Sequence, residues 1–480
     1  MVAASAALAY LKKAMCVMFY IVPISELTLG EGDKAPKYLL HYGIPMFFFF
    51  ILVEFVILEA LRFLGYSVGG SRPGSKGAAP KGGPATYRLN DFLACTIAGS
   101  FQQIGLLLFE LIGLNFETTT YQWVYENFRF ATIDAKEYPL FVYAALLLGK
   151  DFGYYWAHRS MHEWHVMWVG HSVHHSGEDY NMATGLRQGF TQPMLGWVFY
   201  APLALCGFHP SAFSAHAQLN TLYMFWIHTD LVERLPLGLE YVFNSPMAHR
   251  MHHRPPGNCN YAGMLIVWDR LFGTFVPEVT RMDVYGLPNK EQPNTFDPLK
   301  LNANHVACLA RNGRFDKKAA AAAGADANND NSTSFGAAVW SVLRSLVRKR
   351  VSHPAVCDPR LLFKKIPPVR GDQRAEPKRL KWNGERPQSF LDSAFTAVAG
   401  FAVAVAGVGL LLNSKSMHAA DAASCIVVWG LAASAVMRFA DRKEHGGGEA
   451  SRAAGQAVFL LPVLCGIMLK RPLEAALSPP

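Results

Sequence analysis

The sequence predicts an all-α integral membrane protein, a multi-helix transmembrane bundle with a histidine-rich centre at one membrane boundary. Three observations predict it. Of the 480 residues, 51% are hydrophobic and only 17% charged. The apolar residues gather into runs close to the ~20 residues that cross a bilayer as a helix. Nine histidines also fall into groups of helical spacing between His158 and His253.

In chain order, residues 1–42 form an N-terminal amphipathic segment. Its apolar stretch is interrupted by Lys12 and Lys13, and no convincing cleavage site follows, so it reads as membrane-touching rather than as a leader. Residues 43–137 hold the first transmembrane helices: 43–63, and 92–114, which Gln102, Gln103 and Glu110 weaken. Between them a linker, 66–91, is rich in Gly, Pro, Ser and Lys. A third span, 138–156, opens the histidine-bearing unit, 138–300. Within it, 193–208 and 212–231 read as a helical hairpin turning at 207–211. Residues 301–388 form a basic cytosolic loop, with a disordered insertion at 319–334 where an Ala run meets Asn and Asp. Three apolar stretches, 393–412, 422–440 and 453–469, make 389–480 a C-terminal membrane unit. The total is about seven or eight membrane-embedded helices.

The net charge of +9 concentrates in 344–350 and 364–386. Basic segments beside membrane helices mark the cytoplasmic side and attract anionic lipid. No nucleic-acid motif accompanies them. Arg72, Lys76, Lys81 and Arg88 in the first loop, against Arg129 and Lys136 in the next, put the histidine end in the cytosol. The eight cysteines are scattered without a CxxC, which suits reduced thiols.

The histidine groups are His158-x3-His162, His171-x2-His174-His175, His228 alone, and His249-x2-His252-His253. Residues i, i+3 and i+4 share a helix face, so each group offers two or three imidazoles to one point. A lone histidine is ordinarily a hydrogen-bonded core residue, which covers His165, His209 and His216. His41, His305, His353, His418 and His445 fall outside the groups. One zinc takes about four ligands, so nine candidates suit two ions. No cysteine joins the set, and an all-imidazole membrane site suits redox iron that activates dioxygen. Spacing alone leaves copper and zinc open.

The surrounding text resembles a known family. Asp151-Phe152-Gly153-Tyr154-Tyr155-Trp156, Met167-Trp168, and Glu178-Asp179-Tyr180-Asn181 with Ala183-Thr184-Gly185-Leu186-Arg187-Gln188 carry the resemblance. So do Phe225-Trp226-Ile227-His228-Thr229, Phe243-Asn244-Ser245-Pro246, Asn260-Tyr261-Ala262-Gly263 and the run Trp268 to Phe275. These resemble the alkylglycerol (glyceryl-ether) monooxygenases, within the fatty acid hydroxylase and sterol desaturase superfamily of membrane di-iron enzymes. The resemblance implies hydroxylation of the ether-linked alkyl carbon of glyceryl ethers by dioxygen, with two Fe ions and tetrahydrobiopterin. The hemiacetal then collapses to a fatty aldehyde and a glycerol derivative. An external pterin-recycling reductase, an ether-lipid substrate and the endoplasmic reticulum membrane are the implied partners and place.

Glu178, Asp179 and Asn181 follow the second histidine group. They read either as a cap or solvated turn, or as catalytic groups that orient the imidazoles. Arg187 and Gln188 are candidates for binding pterin or the lipid head. Tyr154, Tyr155 and Trp156 read as interface or core aromatics. Two departures stand out. Ala248-His249 replaces a pair of adjacent histidines, and 254–259, with Pro255-Pro256, is shorter than the family's loop. Two other readings stay open: a cytochrome b5-dependent sterol or fatty acid hydroxylase or desaturase, and a histidine-rich metal transporter or sensor. The chain carries no b5-like haem segment, since His209-Pro210 lacks the glycines. A transporter would place ionisable groups midway along several helices rather than at their ends.

Overall fold

The computed structural model describes residues 2–64, 87–111, 118–232, 234–255, 257–278, 285–288, 291–293, 295–322, 335–351, 359–363 and, further on, 398–400, 402–403, 406–407, 410 and 419–440. Among these it contains helices and turns but no strand, only two isolated bridges. The linker stretch 65–86, most of the 319–334 insertion, the basic run 364–386 and the last apolar stretch, 453–469, lie outside the described residues.

Thirteen helices are described: α1 (Val2–Met18), α2 (Ile44–Phe63), α3 (Leu89–Leu111), α4 (Thr118–Phe128), α5 (Pro139–Glu163), α6 (His165–His175), α7 (Ala201–Leu205), α8 (Pro210–Trp226), α9 (Pro246–His253), α10 (Val267–Leu271), α11 (Pro298–Ala322), α12 (Phe335–Leu346) and α13 (Ala419–Ala440). One helix among the described residues, Leu39–Leu61, is long and apolar enough to cross a bilayer, with a mean hydropathy of 2.4. That segment is α2 with the π-turn leading into it. The run expected at 138–156 continues without a break to Glu163.

The expected hairpin is only half helical. Its second arm is α8, but the first is two 3-10 turns, Gln192–Met194 and Gly196–Phe199, followed by the five-residue α7. Pro193 and Pro202 lack the N–H a helix needs, and Gly196 adds backbone freedom between them.

Local signals explain how the histidine-bearing helices start and stop. Pro139 sits in the first turn of α5, where its missing N–H costs nothing. Trp164 is extended (φ −115°, ψ 130°), so the chain turns a corner in one residue and α6 folds back onto α5. Ser245 caps α9, its hydroxyl accepting from Ala248 N at 3.4 Å, with Pro246 next. The core lies around α8, where α1, the turn after it and α2 bury Val17, Leu27, Met46 and Ile51. On another side α13 packs against α3, and Trp429 donates to Val403 O at 2.8 Å. Gly99 of α3 lets the 3-10 turn Met182–Leu186 come close, since a Cβ there would stand 2.4 Å from Leu186 O.

Candidate metal centre

All nine grouped histidines are buried, and they converge as two sets. His158, His162, His171, His175 and His252 form one set, and His174, His228, His249 and His253 the other. Within a set the ligand atoms all lie within 4.8 Å of one another. The sequence expectation that each x2-His-His group serves one point is corrected here. The i and i+4 members of each group go to one set and the i+3 member crosses to the other. Thus His171 and His175 stay together while His174 leaves, and His249 and His253 stay together while His252 leaves. Position i+3 lies on the opposite shoulder of the helical stripe from i+4. The two sets share a wall: His175 stacks on His253 with centroids 4.5 Å apart, and His249 on His252 at 5.2 Å.

The tautomers follow from the outer partners. The Nδ1 atoms face backbone carbonyls, which only accept: His158 to Tyr261 O at 2.8 Å, His174 to Arg187 O at 3.0 Å, His228 to Met224 O at 2.9 Å and His252 to Cys259 O at 2.8 Å. These nitrogens therefore carry the proton, and Nε2 presents a lone pair. His174 Nε2 and His228 Nε2 then face each other at 3.4 Å with no proton between them. Burial pushes His174 down to about 4 and holds His175, His252 and His253 well below the usual imidazole range. Protonation is thus not what relieves the contact. A cation held between the two nitrogens would relieve it.

Other spacings agree. His158 to His171 is 2.9 Å, His171 to His175 is 3.2 Å, His228 to His249 is 2.9 Å and His249 to His253 is 3.2 Å, all between Nε2 atoms. Neighbouring nitrogens about 2.1 Å from one ion lie about 3.0 Å apart in an octahedron and about 3.4 Å in a tetrahedron. His252 Nε2 is buried without a partner, as a metal-ligating atom would be in a protein-only structure, and so are both ring nitrogens of His162, one of which could serve as a ligand. The residues fit two ions, and an all-imidazole donor set is compatible with iron.

A frame of buried side chains fixes the carbonyls that fix the rings. Asp269 accepts from Tyr261 N and Ala262 N, both at 2.7 Å, and from Thr274 Oγ1 at 2.6 Å. Burial raises its pKa to about 6, still below neutrality, so a carboxylate meets three donors at pH 7. Asp151 accepts from Met264 N, Leu265 N, Asn220 Nδ2 and Trp268 Nε1 at 2.7–3.0 Å. Arg250 donates to Thr229 O and Val232 O and pairs with Glu278, tying α9 to the loop after His228. Glu54 of α2 is buried. It accepts from Thr229 Oγ1 at 2.5 Å, from Met182 N at 2.7 Å and from Tyr87 Oη.

The remaining predicted residues sit outside the ring contacts. Asp179 holds Arg88, with Arg88 Nε at 2.9 Å from Oδ1. Glu178 faces Arg88 and accepts from Gln292 Nε2 at 3.3 Å, and burial raises its pKa to about 7. Asn181 caps the Met182–Leu186 turn through Ala183 N at 3.0 Å. None of the three bonds an imidazole, and for Asn181 the cap reading describes the contact. Arg187 is enclosed: it donates to Val173 O at 3.1 Å and Ser176 Oγ at 3.0 Å and pairs with Asp91 at 3.2 Å. These contacts lock the end of α6, a different task from grasping a pterin or lipid head. Gln188 lies beside the His174 ring, its Nε2 3.4 Å from Nδ1. The lone histidines His165, His209 and His216 take no part in either set, and of the three only His216 is fully buried. His216 meets Tyr20 Oη at 2.5 Å, His165 stacks on His305, and His209 caps α8.

Sequence reading missed Glu54, Arg250 and Arg350. An acid inside an apolar span is a signal in its own right, and Glu54 offered it. Arg350 belongs to a run expected to face lipid. Instead it lies over Trp168 at 4.0 Å and reaches Asn258 Oδ1 at 3.3 Å, while its N–H donates to Glu163 O at 2.6 Å. A cavity of about 290 Å³ adjoins the centre, lined among others by Lys150, Tyr154, Met161, Tyr200, Asn220 and Met224. The Tyr154 ring is 5.3 Å from that of His158.

Residues 143–274 match the family model described as fatty acid hydroxylase. The chain is 38% identical over 296 residues to alkylglycerol monooxygenase from Xenopus tropicalis, covering 61% of this chain and 59% of that protein. It is 39% identical over 293 residues to alkylglycerol monooxygenase from Homo sapiens, covering 60% and 59%. A 35% identity over 138 residues, 27% of this chain and 40% of the relative, links it to ornithine lipid hydroxylase OlsE of Rhizobium tropici. The chain thus spans less than two thirds of the length of the alkylglycerol monooxygenases it matches. No solved structure matches it. Residues 143–274 are thus similar to the fatty acid hydroxylase family, and about three fifths of the chain is similar to the alkylglycerol monooxygenases.

Proposed function

We propose that the protein is a tetrahydrobiopterin-dependent monooxygenase that cleaves glyceryl ethers. The observation that carries the metal part is the pair of facing lone pairs, His174 and His228, within two sets of buried imidazoles. His158, His162, His171, His175 and His252 would hold one iron, and His174, His228, His249 and His253 the other. When bound, the irons would activate dioxygen and the pterin would supply the two electrons that reduce its second oxygen atom to water. The product of insertion is a hemiacetal at the carbon beside the ether oxygen. Its hydroxyl proton passes to the departing glycerol oxygen as the C–O bond breaks, leaving a fatty aldehyde.

The chain's own residues supply place and shape. The cavity beside Tyr154, Met161 and Met224 suits an apolar alkyl chain, with Asn220 as a polar group on its wall. Burial of the imidazoles keeps bulk water from the reacting carbon. Glu178 and Asp179, held by Arg88, would steady the turn after α6 and so orient His174 and His175. Gln188, beside the His174 ring, is the remaining candidate for contact with the pterin. The catalytic unit would be 138–300, in a bundle of membrane helices of which α2 is the clearest. We place it in the endoplasmic reticulum membrane with the centre facing the cytosol and an external reductase recycling the pterin.

The test is reductant dependence. Full-length protein in lipid bilayers with an alkylglycerol should release aldehyde when tetrahydrobiopterin is added. Aldehyde formed only with cytochrome b5 and its reductase would refute the pterin assignment. Active protein without iron would refute the centre.

A further inference from the structure

Helix α12 turns an apolar stripe outward. Trp340 is 61% exposed, Leu343 49% and Val347 70%. Trp340 and Leu343 at i and i+3 share one helix face, Val347 follows at the turn just after the helix, and Val339 adds to it at 39%. Its other side is used, since α12 packs against α11 and α6. The stripe is bordered by Arg344 and Arg348, both exposed, and Arg344 lies 5.9 Å over the Trp340 ring. From Phe335 to Val351 the chain holds three arginines and one lysine in its last eight residues and no acid anywhere. A Trp–Leu stripe edged by arginines fits the boundary of a bilayer whose head groups are negative. A protein partner of opposite charge would have to match both the stripe and the arginines. Lipid needs only to be anionic.

We infer that α12 is an interfacial anchor that lies on an anionic lipid surface, apart from any helix that crosses the membrane. The anchor leads directly to the metal centre. Immediately after it, Lys349 pairs with Glu163 at 3.4 Å, and Arg350 stacks on Trp168, whose ring is 5.0 Å from His162. The surface that holds α12 therefore also holds the strap that closes over the five-histidine set. This inference does not depend on the substrate or the reductant.

The experiment uses full-length protein in bilayer nanodiscs, either of neutral phosphatidylcholine or with phosphatidylserine added. Hydrogen exchange is followed over 339–347. The amides should exchange more slowly in the anionic discs, and Arg344→Glu with Arg348→Glu should abolish about thirtyfold of that protection. Bromine-labelled phosphatidylserine should quench a tryptophan component that Trp340→Phe lacks. Equal exchange in the two discs would overturn the inference. So would protection that rises with protein concentration, which would give the face to a second copy. Protection that is complete in detergent would give it to another segment of the chain and overturn it as well.

Discussion

Deleting one imidazole from each set separates them, because the sets differ in size. His252→Ala leaves four imidazoles in its set, still the number that holds a tetrahedral ion. His174→Ala leaves three and also removes the Nδ1 donor of the 3.0 Å bond to Arg187 O. That bond is worth about 1 kcal/mol, too little to unfold the chain. Disturbing even an outer partner of a ligand costs about 10–100-fold in metal affinity, so losing one of four ligands costs more than that. Iron per chain should fall from about two to about one in His174→Ala and stay near two in His252→Ala. Elemental analysis of purified protein reads the number, and circular dichroism confirms the fold. If His252→Ala loses iron while His174→Ala keeps both, the division of the histidines derived above is wrong.

Two further substitutions test the frame. Asp269→Ala removes the acceptor for three donors and should cost about 3–9 kcal/mol at about 1–3 kcal/mol per orphaned group, read as a lower thermal midpoint with reduced iron content. Unchanged iron binding in that variant would mean that the Tyr261 carbonyl does not set the His158 ring. Gly189→Ala would put a Cβ 2.0 Å from Gly170 O, a backbone atom that cannot swing aside. Folded protein should be lost or strongly destabilised, and a near-normal melting temperature would show that the α6 contact is looser than drawn.

The site was legible in the sequence because imidazoles at i, i+3 and i+4 announce a shared face. The eight histidines grouped on that ground meet, and the lone His228 joins them. How they divide was not legible, since a helix face is broad enough for i+3 and i+4 to aim at points on either side of it. The carboxylates after the second group were visible as residues but not as contacts. Asp179 finds its partner in Arg88, 91 positions earlier in the chain. The run ending at Arg350 looked like lipid-facing charge because composition does not say which way a side chain turns. Its last arginine is only 10% exposed at the side chain. Helix α8 was legible from its apolar text, whereas the stretch before it was equally apolar and is broken by Pro193 and Pro202.

The centre is built on elements that could not stand alone. Helix α9 has eight residues and α10 has five, well below the ~12–15 that make an isolated helix even marginally stable in water. Packing alone would leave them free to shift, and a metal site tolerates little looseness. The chain instead clamps the backbone with side chains. Asp269 gathers the amides of Tyr261 and Ala262 and Asp151 those of Met264 and Leu265, Asn244 donates to Ala262 O at 2.7 Å, and Asn260 donates to Ala248 O at 2.9 Å and Val276 O at 2.8 Å. Asn260 adopts φ +53°, a conformation asparagine tolerates better than most residues. The Asp269 clamp holds Tyr261, whose carbonyl faces His158 Nδ1, and the Asn260 bond to Ala248 O ends one residue before His249. The precision of the imidazoles is therefore a property of these polar bonds, and the long helices serve mainly to carry the clamped turns to one place.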